Sequence, residues 1–139
     1  MSGVLLDTNV ISELTKKVPA PPVVAFLSVR DDLWLSALVL HELEFGLHLL
    51  PRGNRRDALR GVLSEFIRHY EDRMLPVDET VAVWAARFRA EAGKRGRPID
   101  LGDALIAGTA KACDLSLATR NVADFSGLEL VLTNPWDFR

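Results

Sequence analysis

Four acidic residues stand where a carboxylate has chemical use: Asp7, Glu42, Asp103 and Asp124. Asp7 is the first polar residue after the apolar run Val4-Leu5-Leu6, so a buried strand there would deliver its carboxylate at the strand's carboxyl end. Glu42 lies in an apolar stretch, with Leu38, Phe45 and Leu49 at helical steps around it, a pattern that leans it toward the interior. Asp103 falls in the first turn of an apolar helix that Asp100 is placed to cap, and Asp124 follows the run Leu117-Ala118-Thr119 and the turn Arg120-Asn121. Each has a plain alternative. Asp7 suits a helix N-cap, Glu42 a solvated helix edge, Asp103 a partner for the helix dipole, and Asp124 a loop closure.

Their joint placement says more than any one of them. Carboxylates brought together repel and raise one another's pKa, so such a cluster is stable mainly around a cation. Hard oxygen donors, a lone cysteine (Cys113) and no His-x-x-x-His favour Mg²⁺ or Mn²⁺ over Zn²⁺. A bound divalent ion would lower the pKa of a water and offset charge on a phosphate during in-line displacement. Thr119, Arg120 and Asn121 add a hydroxyl, a guanidinium and an amide at a strand end, a set suited to phosphate oxygens. An ion pair between Arg120 and an acidic neighbour is the alternative.

Elements must bring these groups together. Short apolar runs predict strands at Gly3 to Leu6, Leu33 to Ser36, Ser116 to Thr119 and Leu128 to Leu132, with a brief strand or extended link at Met74 to Val77. Periodicity and capping signals predict helices at Val10 to Leu14, Pro22 to Arg30, Ala37 to Leu50, Arg55 to Tyr70, Glu79 to Lys94 and Leu101 to Ala112. Gly46, inside one of them, implies a second backbone packed against it. Short apolar strands alternating with helices mean an α/β fold, a parallel sheet with helices on both faces, whose working groups gather at the strands' carboxyl ends.

The 139 residues suit one domain, 1–139. Hydrophobic residues make up 48% and charged residues 26%, which excludes a disordered chain. The formal net charge of -2 argues against nucleic-acid binding by charge alone, so any RNA contact needs a metal ion and local arginines such as Arg120. The start MSGVLLDTNV has no basic n-region or long apolar segment, no run is long enough to cross a membrane, and the single cysteine suits a reducing compartment. A cytoplasmic protein without membrane contact is expected.

Leu5-Leu6-Asp7-Thr8-Asn9, Glu42-Leu43 with Gly46, Asp103-Ala104-Leu105-Ile106-Ala107, Ala118-Thr119-Arg120-Asn121 with Asp124, and Thr133-Asn134-Pro135-Trp136 occur in an order that resembles the PIN-domain ribonucleases. Within them the likeness is to the VapC toxins of toxin–antitoxin pairs and their FitB-like branch, over essentially the whole chain. The resemblance implies a three-layer α/β/α sandwich and Mg²⁺- or Mn²⁺-dependent cleavage of RNA. It makes Asp7, Glu42 and Asp103 the core acids and Asp124 the fourth. Asp7 and Asp103 would bind metal directly, and Glu42 and Asp124 partly through water. Thr119 and Asn9 would orient them, with Thr8 beside. It also implies a homodimer, or a dimer of toxin–antitoxin heterodimers, and a small DNA-binding antitoxin that covers the site. Two other readings remain: a DNA nuclease or phosphatase on the same acids, and a binding module whose acids are caps. Three basic clusters, Lys16-Lys17, Arg52 with Arg55 and Arg56, and Lys94-Arg95 with Arg97, are candidates for substrate contact or plain solvated faces.

Overall fold

Val4-Leu5-Leu6 has no polar residue to turn toward water, and all three are buried. In the computed structural model, which describes residues 2–139, they form β1 (Val4–Leu6) at the centre of a five-stranded sheet. The other strands are β2 (Leu33–Ser36), β3 (Met74–Leu75), β4 (Ser116–Ala118) and β5 (Leu132–Thr133), in the order β3-β2-β1-β4-β5 with every pairing parallel. Seven helices connect them: α1 (Thr8–Ser12), α2 (Pro21–Val29), α3 (Ala37–Leu49), α4 (Asn54–Arg68), α5 (Glu79–Lys94), α6 (Leu101–Ala112) and α7 (Val122–Phe125). This is the expected PIN-like α/β architecture, a central parallel sheet flanked by helices.

The strand order explains where a site can form. From β1 the chain steps outward to β2 and β3, then crosses back to β4 on the other side of β1. Right-handed crossovers in opposite directions put their helices on opposite faces, so connections part at the carboxyl ends of β1 and β4 and leave a crevice. Asp7 follows β1 and Thr119 follows β4, one on each side of that crevice.

Local signals fix the helix starts. Ser36 Oγ accepts from Leu38 N at 3.1 Å and Asp78 Oδ1 from Val81 N at 3.0 Å, which caps α3 and α5. Pro21 and Pro22 open α2, where the missing N–H costs nothing. Helices α5 and α6 meet at Gly108, where a Cβ would lie 2.6 Å from Val81 O and 2.9 Å from Ala85 N, so only glycine admits this approach.

Several expectations shift. Helix α1 begins at Thr8 rather than Val10, because Asp7 already caps it, and Glu13–Thr15 form a 3₁₀ turn. The last strand is Leu132–Thr133 rather than Leu128 to Leu132. Gly127 has φ +84°, and Leu130 N bonds back to Leu128 O at 2.8 Å, so pairing with β4 starts only at Val131. The third strand ends at Leu75, before Pro76.

Helix α3 buries Val39, Leu43 and Leu47, while Phe45 is 59% and Leu49 70% exposed. The expected inward row of Leu38, Phe45 and Leu49 is therefore overturned: with apolar residues on nearly all sides of the helix, packing selects the Val39-Leu43-Leu47 face instead. Gly46 has open space where a Cβ would go, so no backbone packs on it; it borders an apolar groove between α3 and α4. No described helix is long and apolar enough to cross a membrane.

Candidate active site

Asp7 is only 6% exposed, and its carboxylate is fully engaged. Oδ1 accepts from Thr8 N at 2.7 Å, the cap of α1. Oδ2 accepts from Thr119 Oγ1 at 2.8 Å and from Asn9 Nδ2 at 3.4 Å. The cap thus uses Oδ1, while Oδ2 is held separately by Thr119 and Asn9. Burial raises the Asp7 pKa above its ordinary value, opposed by the bonds from Thr119 and Thr8 and reinforced by the charges of Glu42 and Asp100.

Thr119 is fully buried and joins the two sides of the crevice. Besides donating to Asp7, its hydroxyl oxygen accepts from Asn121 N at 3.0 Å and Asn9 Nδ2 at 3.3 Å. Asn9 Oδ1 accepts from Arg120 N at 3.3 Å. Asn9, Thr119 and the Arg120-Asn121 backbone thus form one network behind Asp7. The Arg120 side chain has a different place: its guanidinium lies 5.1 Å over the Trp136 ring and pairs with none of the site acids.

Glu42 reaches the same crevice from α3. Its Oε1 accepts from Thr8 Oγ1 at 2.9 Å, which ties it to the helix that Asp7 caps. Its other oxygen faces the start of α6: a Cβ on Gly102 would lie 3.7 Å from Glu42 Oε2 and 3.5 Å from Asp100 Oδ1. Glu42 is half-buried, although Phe45 and Leu49, which the periodicity placed on the same inward row, are exposed.

Asp103 sits in the first turn of α6, half-buried, with its N–H donating to Asp100 Oδ1 at 2.7 Å. Its pKa is pushed up to about 7, first by desolvation and then by the charges of Asp100, Asp7, Asp124 and Glu42. Every other acid of the group thus acts on Asp103 through its field. Asp124 lies in the single turn of α7, with its side chain 51% exposed and 3.9 Å from Arg97 Nη2.

Two residues escaped the sequence reading. Asp100 caps α6 as expected, yet its charge also bears on Asp7 and Asp103, so it belongs to the same electrostatic group. The signal was the spacing Asp100-x-x-Asp103, which puts both carboxylates on one helical turn. The second, Arg97, appeared only as a member of a basic cluster.

The donor set favours a hard divalent ion. All candidate ligands are carboxylates, and the single cation paired with any of them among the described residues is Arg97. No three His, Cys, Asp or Glu side chains among those residues converge closely enough to close a coordination sphere by themselves. Carboxylate donors of this kind match a hard divalent cation that keeps part of its water shell. A structural zinc site would need a closed set of nitrogen or sulfur donors.

Residues 4–128 match the PIN domain family. The chain is 39% identical over 136 residues to Toxin FitB of Neisseria gonorrhoeae, covering 96% of this chain and 98% of the toxin. It is 37% identical over 137 residues to a VapC ribonuclease of Sinorhizobium fredii, covering 96% and 98% of the two chains. The tRNA(fMet)-specific endonuclease VapC of Shigella flexneri is 28% identical over 132 residues, covering 95% and 96%. Among solved structures, FitAcB from Neisseria gonorrhoeae superposes with a TM-score of 0.89 at 38% identity, covering 97% and 99% of the two chains. FitAB bound to a DNA fragment also gives a TM-score of 0.89, at 35% identity, covering 98% and 97%.

Proposed function

The chain belongs to the PIN-domain family, and from that premise we propose that it is a metal-dependent endoribonuclease, the toxin of a toxin–antitoxin pair. The observation that carries the reading is the gathering of acids at one crevice: Glu42 Oε1 accepts from Thr8 Oγ1 at 2.9 Å beside the Asp7 cap, Glu42 Oε2 and Asp100 Oδ1 both face Gly102 at the start of α6, and one arginine, 3.9 Å from Asp124, is the only cation paired with a site acid among the described residues. Asp103, in the same turn of α6, has its pKa raised to about 7, first by desolvation and then by the charges of Asp100, Asp7, Asp124 and Glu42. Such a group is best satisfied by a divalent ion. The relatives named as ribonucleases and endonucleases support the reaction class, and the similar toxin FitB, with its structures as FitAB and FitAcB, supports the biological role.

Asp7 and Asp103 would hold Mg²⁺ or Mn²⁺ directly, with Glu42 and Asp124 acting partly through water. When bound, the ion would activate a water and offset charge on the scissile phosphate. The chain's own residues set up that event. Thr119, Asn9 and the Thr8 N–H keep the Asp7 carboxylate from rotating. Thr8 Oγ1 holds one oxygen of Glu42 and leaves the other toward α6. The Asp103 carboxyl, with its pKa raised to about 7, must lose its proton before it can ligate a cation, so ion binding would strengthen as pH rises toward and past 7.

The same proposal assigns a cytoplasmic location and a small DNA-binding antitoxin, with the toxin assembling as a homodimer or as a dimer of heterodimers. An apolar groove beside Glu42, lined by Leu43, Gly46, Leu47, Leu50, Leu59 and Leu63, supports an apolar antitoxin segment docking next to the acids. The test is brief induction in cells followed by mapping of RNA 5′ ends. New ends at defined positions, absent with Asp7→Asn, are expected. Growth arrest with no new RNA ends contradicts the reading, as does preferential turnover of single-stranded DNA or a phosphomonoester by the purified protein.

A further inference from the structure

RNA brings a negative charge per nucleotide to a crevice already crowded with carboxylates, on a chain of net charge -2. A metal ion held by the acids would serve the scissile phosphate, and neighbouring phosphates need cations of the protein. Three basic clusters are present, and the structure separates them. Lys16 of the first is engaged at 2.7 Å by Glu13. In the second, Arg56 Nη2 and His48 Nδ1 are 2.7 Å apart, and the cluster begins past the end of α3, roughly two helical turns beyond Glu42.

The third cluster borders the acids. Arg97 Nη2 lies 3.9 Å from Asp124 Oδ1, the one ion pair made by a site acid among the described residues. Arg95, the residue that closes α5, lays its guanidinium over Gly127, where a Cβ would fall 3.4 Å from Arg95 Cζ. Gly127 follows the turn α7 that carries Asp124, so both guanidinia line that turn. Arg95 makes no ion pair among the described residues, and the Arg97–Asp124 pair is long and exposed on both sides, so it holds Arg97 weakly. A planar guanidinium that is loosely held beside the site is well matched to a phosphate.

We infer that Arg95 and Arg97 form a phosphate-binding edge for the RNA strand, which enters the acidic crevice past the α5–α6 connection on the Asp124 side. This rests on the RNA reading above. In this role they position the substrate, and Arg97 exchanges its contact with Asp124 for one with the strand.

The test is fluorescence anisotropy of a labelled single-stranded RNA in EDTA across a salt series, with wild type, Arg97→Ala, Arg97→Lys and the double variant Arg95→Ala/Arg97→Ala. The double variant is expected to bind about tenfold or more weakly at low salt. Its log–log salt slope should be shallower by about 0.7 for each phosphate that the variant no longer neutralises. Arg97→Lys should recover part of the affinity. In steady-state cleavage, KM should rise about tenfold while kcat stays within about threefold. Unchanged affinity and slope overturn the inference. So does a fall in kcat at constant KM, which would mean that Arg97 acts on Asp124 instead. An equal weakening from Arg52→Ala/Arg55→Ala overturns it too, since the effect would then be diffuse charge. A wild-type protein that binds RNA in EDTA and cuts none with metal defeats the ribonuclease reading, while the comparison in EDTA still decides the role of the two arginines.

Discussion

The two walls of the crevice are built differently. On the β1 side, Asp7 is buried and both carboxylate oxygens are bonded within a network that runs through Thr8, Asn9 and Thr119. On the α7 side, Asp124 is half exposed, and its one ion pair among the described residues is a long one, with Arg97 at 3.9 Å. A buried carboxylate with three donors is over-determined: its position is set before any ligand arrives, and moving it would orphan several polar groups. An exposed one with a single loose partner can adjust. The wall that is fixed in advance suits direct ligation of an ion, and the wall that yields suits contact with a flexible strand.

Unequal substitutions would sharpen that contrast. Asp7→Asn should lower kcat/KM for RNA on the order of a thousandfold, because it removes the proposed direct ligand from the rigid wall. Asp124→Asn should cost about tenfold, in keeping with a water-mediated and adaptable role. Equal losses in parallel kinetics would erase the distinction. Thr119→Val comes next. It keeps the volume but leaves Asp7, Asn9 and the Asn121 N–H without their shared partner, so activity should fall about 10- to 100-fold. Stability should drop about 1–3 kcal/mol by denaturant titration.

The electrostatics give a third test. The folded pKa of Asp103 is raised from an ordinary 3.8 to about 7, so between those values the folded protein holds a proton that the unfolded chain has released. Unfolding then releases that proton, and stability of the metal-free protein must fall as pH rises, with the full penalty reached above the folded pKa. Asp7, also raised, adds in the same direction. In EDTA the Tm should decline from about pH 5 to about pH 8. Mn²⁺ should raise Tm more at the higher pH, and Asp103→Asn should flatten the EDTA profile. A Tm that rises over this range in EDTA would contradict the assigned field.

The smallest expected effect lies just outside the crevice. Gly46→Ala has open space for its Cβ and should stabilise the protein by up to about 1 kcal/mol through helix propensity. Gly108→Ala, whose Cβ would collide with Val81 O, should instead destabilise it in the same thermal assay.

These two glycines show where the sequence was readable. An apolar run ending in Asp7 has few ways to fold, and β1 and the position of Asp7 follow from local pattern. The caps Asp78 and Asp100 were legible for the same reason, while Ser36 read only as a strand end and its capping of α3 went unread. What could not be read depends on contacts between distant segments. The face of α3 turned inward was hidden because Leu38, Val39, Leu43, Phe45, Leu47 and Leu49 are all apolar, and only packing against neighbouring elements selects Val39, Leu43 and Leu47. Gly46 and Gly108 look alike in sequence, and only the approach of α5 gives Gly108 its constraint. Arg120 reads as a phosphate ligand or an ion-pair partner, and its place over Trp136, sixteen residues on, is not visible in the local pattern. Asp100 was assigned a single role because a cap already explained it, although the same carboxylate adds to the field on Asp103.

The most direct test of the central claim is cleavage of a labelled RNA by the purified protein in EDTA, Mg²⁺ and Mn²⁺, with Asp7→Asn alongside. The account predicts endonucleolytic products with either metal, none in EDTA, and near-complete loss of cleavage in a folded Asp7→Asn variant. Cleavage that persists in EDTA, or that survives Asp7→Asn at the wild-type rate, would contradict it.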